Sequence, residues 1–195
     1  LLNLKPERIE TAEFIVDHYL ATNTRLAVSA YYYKIHGLIG QALDPANGKT
    51  FFENQGGATG LGFELEGEQR FRNGVTAKLS YSNQHAEDGQ GARLTNMPEH
   101  LVKALVSAPL WDDGLRIGFE TLYSSGRKTR LGTEVNDYVV SNLNLTGSIS
   151  KHFDLSFAIY NLWNAHYADP VGDDFVQDRI FQDGRSFRLK VEARF

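Results

Sequence analysis

The segment SSGRKTR, residues 124–130, brings Arg127, Lys128 and Arg130 close together in the chain. A guanidinium offers a planar fork of donors that grips the paired oxygens of an anionic chelate or an acidic lipid headgroup. The same residues also suit a solvated charge cluster that meets water and neighbouring acids such as Glu134. A second stretch, ADPVGDDFVQD, holds Asp169, Asp173, Asp174 and Asp178. Carboxylates can bind Ca²⁺, but the EF-hand spacing is missing and an acidic loop is the plainer reading. Just before it, His166 and Tyr167 either touch a small molecule or pack at an aromatic rim. The histidines, at 18, 36, 85, 100, 152 and 166, form no close pair on a helix or strand repeat, so no metal centre is expected. Ser124, Ser125, His166 and Asp169 are residue types that a hydrolase uses. No nucleophile elbow or fixed triad spacing accompanies them, so neither an enzyme activity nor a cofactor is expected.

These side chains need elements to position them, and the composition favours strands and turns. The 195 residues include 12 Phe, 9 Tyr and 18 Gly against 5 Pro, in a length that suits one domain. A net charge of −4 supplies no basic field, so no nucleic acid partner is expected. With no cysteine, disulfides and thiolate metal sites are excluded, which fits an extracytoplasmic protein. No apolar run approaches the ~18 residues that a membrane-spanning helix needs. The mean hydropathy of −0.36 does not bear on a membrane barrel, whose strands alternate. The opening LLNLKPER does not read as a signal peptide.

Period-two alternation predicts nine strands, near residues 9–20, 25–35, 60–71, 75–81, 100–110, 115–123, 138–149, 153–160 and 187–195. Tight turns are expected at residues 21–23, 72–74, 111–114 and 151–152, where Asn, Asp and Gly gather. Long polar loops are expected near 36–58, 86–98, 124–136 and 162–184. Short and long connections alternate, so the turns share one end of the sheet and the loops the other. The fold class is all-β, an antiparallel up-and-down meander of about nine strands.

Alternation alone also fits a soluble sandwich or lipocalin-like barrel. Four features favour a membrane. Strands near ten residues are long for a sandwich and match a tilted membrane strand. Short turns at one end and long loops at the other are the outer-membrane pattern. Aromatics collect near both strand ends: Tyr19, Phe71, Trp111, Phe153 and Phe195 at one, Tyr32, Tyr81, Tyr123, Tyr160 and Trp163 at the other. The mid-strand apolar faces carry no charge, where one would cost roughly 2–4 kcal/mol. Phe63, Leu65, Leu145, Phe157 and Leu189 are therefore expected on the convex, lipid side. Glu66, Asn144, Lys190 and Glu192 are expected on the concave side. There, Glu64, Glu66 and Glu68 either bind cations or pair with Arg116, Arg188 or Lys190. Nine strands that start and end in the same direction imply the C-terminal part of a larger barrel, with unpaired edges at 9–20 and from Phe187.

The stretch LLNLKPERIETAEF resembles a segment of the TonB-dependent outer-membrane receptors that leads into the later strands of a 22-stranded transmembrane barrel. AYYYKIHGLI, FENQGGATGLGFELEGEQRF, YSSGRKT, IYNLWNAHYADP and the closing GRSFRLKVEARF are similar to further motifs of that family, in its order and spacing. The resemblance covers essentially the whole chain. It implies that residues 1–195 are the C-terminal part of such a barrel, with the plug domain, TonB box and N-terminal strands absent. It further implies location in the bacterial outer membrane and TonB-dependent uptake of a scarce nutrient, most often a ferric siderophore. A small free-standing porin or adhesin barrel is the alternative. The implied partners are outer-membrane lipid, the TonB complex through the missing N-terminal region, the barrel-assembly machinery and a small-molecule substrate. The assembly signal would fall on Phe187, Leu189, Val191, Ala193 and Phe195, and ligand contacts on Arg127, Lys128, Arg130, His166 and Tyr167.

Overall fold

The computed structural model describes residues 4–110, 114–172 and 174–194. The strands, in chain order, are β1 (Arg8–Ala21), β2 (Thr24–His36), β3 (Ile39–Leu43), β4 (Thr50–Asn54) and β5 (Gly57–Arg70). Next come β6 (Thr76–Asp88), β7 (His100–Leu110), β8 (Leu115–Ser124), β9 (Arg127–Lys128) and β10 (Glu134–Val135). The last are β11 (Tyr138–Ser150), β12 (Phe153–Tyr160), β13 (Ala168–Pro170), β14 (Arg179–Phe181) and β15 (Ser186–Ala193). Nine of them form one antiparallel sheet in the order β1-β2-β5-β6-β7-β8-β11-β12-β15, the meander expected from the sequence. β1 and β15 are its two edges and do not pair with each other. The tight turn between β5 and β6 closes with the Phe71 N–H donating to the Val75 carbonyl at 2.8 Å. Gly74 there takes a φ of +78°, which a side chain would oppose. Residues 111–113 of the turn expected at 111–114, Trp111 among them, lie outside the described residues, as do Asp173 and Phe195.

The loops hold more order than the sequence suggested. Three carry their own two-stranded ladders: β3 with β4, β9 with β10, and β13 with β14. They are short, the longest having five residues a strand, too few for alternation to register. β6 also runs past the expected 75–81 to Asp88. Its second half, SNQHAED, lacks apolar alternation because its side chains need not meet lipid, yet its backbone stays paired with β5 up to Ala58↔Asp88.

The registers assign every long strand two chemically distinct faces. Leu145, Phe157 and Leu189 lie in one cross-strand row, and Phe63 and Leu65 pair with Ala30 and Val28 on the same apolar face. The opposite face carries Arg25, Glu66, Lys78, Lys103, Glu120, Asn144 and Lys190. Exposure is inverted relative to a soluble protein: the Leu65 residue is 43% exposed, the Glu66 side chain only 29%. Among the described residues the buried apolar side chains are Ala58, Ala86, Val135 and Ala168, and no large aliphatic or aromatic core exists. Side chains splay on a convex face and converge on a concave one, so this ordering puts the apolar face on the convex side. A surface of this kind is covered by hydrocarbon or it aggregates. On that face Thr121 and Ser141 satisfy each other with a 2.9 Å hydrogen bond between hydroxyls.

Two details correct the expectation. Tyr19 pairs opposite Arg25, and Tyr160 opposite Ser186, so both sit on the polar face and not in an aromatic belt facing lipid. Tyr32, Tyr81 and Tyr123 do share the apolar face. The acids of β5 also have other partners than expected. Glu66 accepts from Arg25 at 2.5 Å and meets Lys78 at 3.1 Å, while Arg25 holds Asp17 at 2.8 Å. Glu68 pairs with Arg70. Arg116 turns to Ser107 and the Gly74 carbonyl, and Lys190 to Glu192. In an open sheet a side chain reaches the adjacent strand. β8 and β15 stand three and six places from β5, too far to serve it.

Candidate functional site

The loop end of the polar face holds a cavity of about 510 Å³. Its floor is strand backbone and side chain: Lys78 and Ser80 from β6, Lys103 from β7, Glu120 and Leu122 from β8, Asn142 from β11. Tyr167 and Asp169, from the loop around β13, wall it at the outer end together with Tyr138. Alternation places these residues on one side, because Ser80, Lys103, Leu122 and Val140 form one row and Lys78, Leu105, Glu120 and Asn142 the next.

The expected ligand-contact residues are partly gathered here. Arg127, on β9, is largely buried and forms an ion pair with Asp169. Its Nη1 donates to the Asn96 side chain at 3.2 Å, and its guanidinium stands 5.7 Å from the Tyr138 ring centroid. Tyr138 in turn packs on Tyr167, with ring centroids 4.4 Å apart. Burial raises the pKa of Tyr167 above the ordinary phenol value, so the ring is neutral. Arg127, Asn96, Asp169, Tyr138 and Tyr167 thus form one cluster that joins three loops at the roof of the cavity. The Nε of Arg127 has no partner among the described residues.

Arg130 lies apart from this cluster and donates to the carbonyls of Phe175 and Val176 at 3.0 and 3.3 Å. Lys128 pairs in register with Glu134, and its carbonyl accepts from the Asn96 N–H at 2.8 Å. His166 is exposed beside Tyr167. Asp178 accepts from the Thr133 hydroxyl at 2.8 Å and the Leu131 N–H at 3.2 Å. The hydroxyl of Thr129, then that of Thr133, hold its carboxyl below the usual carboxylate range. The hydrolase residues do not assemble: Ser124 donates to the Ser125 carbonyl, Ser125 accepts from the His100 N–H, and Asp169 is held by Arg127. Glu134, expected to neutralise the arginines, approaches Arg93 at 4.0 Å.

Sequence reasoning did not single out Asn96, Asn161 or Lys103. Asn161 is buried at a φ of +49°. Its side chain bonds Ala165 on both atoms and the Asp183 carbonyl, so it shapes the loop that delivers Tyr167 and Asp169. The signal was present in its place within YNLWN directly after a strand. On the outer row of β15, Phe187, Leu189, Val191 and Ala193 pair with β12 and face away from the cavity.

Comparison with known proteins places this architecture. The family described as TonB dependent receptor-like, beta-barrel, matches residues 2–162. Among solved structures, the pyoverdine outer membrane receptor FpvA from Pseudomonas aeruginosa PAO1 superposes with a TM-score of 0.79 at 15% identity, over 98% of this chain and 30% of that one. The FrpB iron transporter from Neisseria meningitidis gives a TM-score of 0.77 at 17% identity, over 97% and 31%. The copper transporter OprC gives 0.79 at 17%, over 99% and 32%. This chain therefore spans about a third of the length of these proteins. No curated protein matches it.

Proposed function

This chain belongs to the family of TonB-dependent receptor β-barrels, proteins of the bacterial outer membrane, and on that premise we propose that it forms the C-terminal wall of a receptor for active uptake of a scarce nutrient. The observation that carries the reading is the inverted sheet: an apolar face with no charge at mid-strand, backed by a face of ion pairs around a loop-roofed cavity. Such a wall separates lipid from a wet interior, which is what a transport lumen requires.

Residues 1–195 are proposed to complete a 22-stranded barrel with strands supplied elsewhere, which would pair with the free edges of β1 and β15. A plug domain inside it and the TonB complex would supply gating and energy. A free-standing porin or adhesin barrel is disfavoured, because nine meandering strands leave β1 and β15 parallel and unpaired. The outer row Phe187, Leu189, Val191 and Ala193 of β15, together with Phe195, is proposed as the signal read by the barrel-assembly machinery.

For the substrate we favour an anionic metal chelate of the ferric siderophore class. The iron and copper named for the similar structures support a metal cargo in general and leave its identity open. Tyr167 is the proposed direct contact, with Arg127, Lys128, Arg130 and His166 completing the outer rim. No part of this reading calls for enzymatic chemistry. The test is uptake of radiolabelled ferric siderophores, cobalamin and sugars by cells carrying or lacking the protein, with and without functional TonB. Accumulation of a ferric siderophore that needs both is the expected result. Uptake independent of TonB would overturn the active-transport reading, and selective uptake of a neutral sugar the substrate class.

A further inference from the structure

Two cations border the cavity, Lys78 and Lys103, and only Lys78 has an ion-pair partner among the described residues, Glu66. Glu66 is shared by Arg25 and Lys78, Glu120 accepts from Asn142 at 2.7 Å, and Asp169 is taken by Arg127. Arg127 and Arg130, the cations that the sequence favoured, are bound to other loops. Lys103 makes no ion pair among the described residues. It borders both the main cavity and the adjoining hollow that contains Glu64, and Glu64 does not reach it. Beside the polar Lys78, Ser80, Glu120 and Asn142, the lining is apolar and aromatic: Leu105, Leu122 and Val140 on the floor, the Tyr138–Tyr167 pair at the outer wall.

We propose that Lys103 is the anion anchor of this cavity, and that the ligand it takes is a small anion joined to a planar ring. The ammonium would hold the anionic group, and the ring would lie along Leu122 and Val140 toward the tyrosines. A compact ammonium accepts one oxygen or several without demanding the fixed fork of a guanidinium, so it fits a carboxylate or a phenolate alike. The inference rests on the transport reading for its purpose but not for its test.

The test uses protein purified from outer membranes in detergent and a matched pair of probes, salicylate and its neutral amide salicylamide, followed by tyrosine fluorescence and calorimetry. Salicylate should bind with the higher affinity. Lys103→Gln should raise its Kd by roughly tenfold, the weight of one charge-assisted hydrogen bond. Lys103→Arg should restore most of the affinity, and salicylamide should be indifferent to either change. Tyr167→Leu should weaken both probes alike. An unchanged salicylate affinity in Lys103→Gln, or equal binding of the two probes, overturns the anchor. A Tyr167→Leu variant that binds both as before overturns the ring half. Because binding is read on the isolated protein, a protein that binds through Lys103 but transports nothing would sink the transport reading alone. A transporter whose ligand ignores Lys103 would sink this one alone.

Discussion

The ring of Tyr33 lies across Gly60, its direct cross-strand partner, so closely that a Cβ on Gly60 would overlap the ring. Tyr31 lies over Gly62 in the same way, and the two rings stack with centroids 6.4 Å apart. The glycines let two tyrosines lie flat on the wall of the lumen instead of projecting into it. Gly60→Val should therefore destabilise the sheet by about 1–3 kcal/mol, the usual cost of overpacking. Tyr33→Ala in the same protein should relieve most of that loss. Thermal unfolding of both single variants and the double variant in detergent measures the coupling. Additive effects would show that the ring and the glycine do not depend on each other.

The Arg127–Asp169 ion pair joins loops that are 42 residues apart in the chain. Breaking a buried pair by removing one partner costs about 3–5 kcal/mol. Asp169 is about one-third exposed, so about 1–2 kcal/mol is expected here, felt as opening of the loop and not of the sheet. Asp169→Ala should speed tryptic cleavage at Arg179 by roughly tenfold while the melting of the barrel stays in place. Cleavage at the wild-type rate would mean that the pair does not hold the loop.

Much of the scaffold could be read from the residues, and most of the site could not. Strands such as β12 and β15 announce themselves because lipid on one side and water on the other enforce a strict alternation, FDLSFAIY and SFRLKVEA. Arg127 could be picked out by its neighbours Lys128 and Arg130. Its real partner, Asp169, lies across two strands of the meander, and only the fold brings the two together. Lys103 was invisible for the opposite reason. In sequence it is one more charge on a polar face, and its importance depends on Glu66 being shared by Arg25 and Lys78 and on Glu120 being held by the Asn142 amide.

Acid should loosen the loop before it touches the barrel. The depressed pKa of Asp178 means that its tether to Thr133 and Leu131 contributes fully above the ordinary carboxylate value, near 3.8, and is lost as pH falls through the lower folded value. Exchange of the Leu131 amide, followed by hydrogen–deuterium mass spectrometry, should be slow at neutral pH and rise in that acid window after correction for intrinsic rates. Asp178→Asn should show the faster exchange at neutral pH, and the difference from the wild type should vanish in acid. Protection that persists unchanged through acidification would assign the loop's order to other contacts.

The two faces of the sheet should respond in opposite ways to the same substitution. Leu65 lies on the apolar face of β5, in the row that also holds Val28, Tyr81 and Val102. A charge there must enter hydrocarbon, so Leu65→Arg should cost roughly 2–4 kcal/mol. Ser80, one strand over, sits on the polar face between Glu66 and Lys103. Ser80→Arg places the same guanidinium in water beside an acid and should change stability by less than about 1 kcal/mol. Urea unfolding in lipid vesicles and the yield of assembled protein in outer membranes measure both. Equal penalties at the two positions would contradict the assignment of lipid and lumen sides. A larger penalty at Ser80 would reverse it, returning the apolar face to the interior of a soluble barrel.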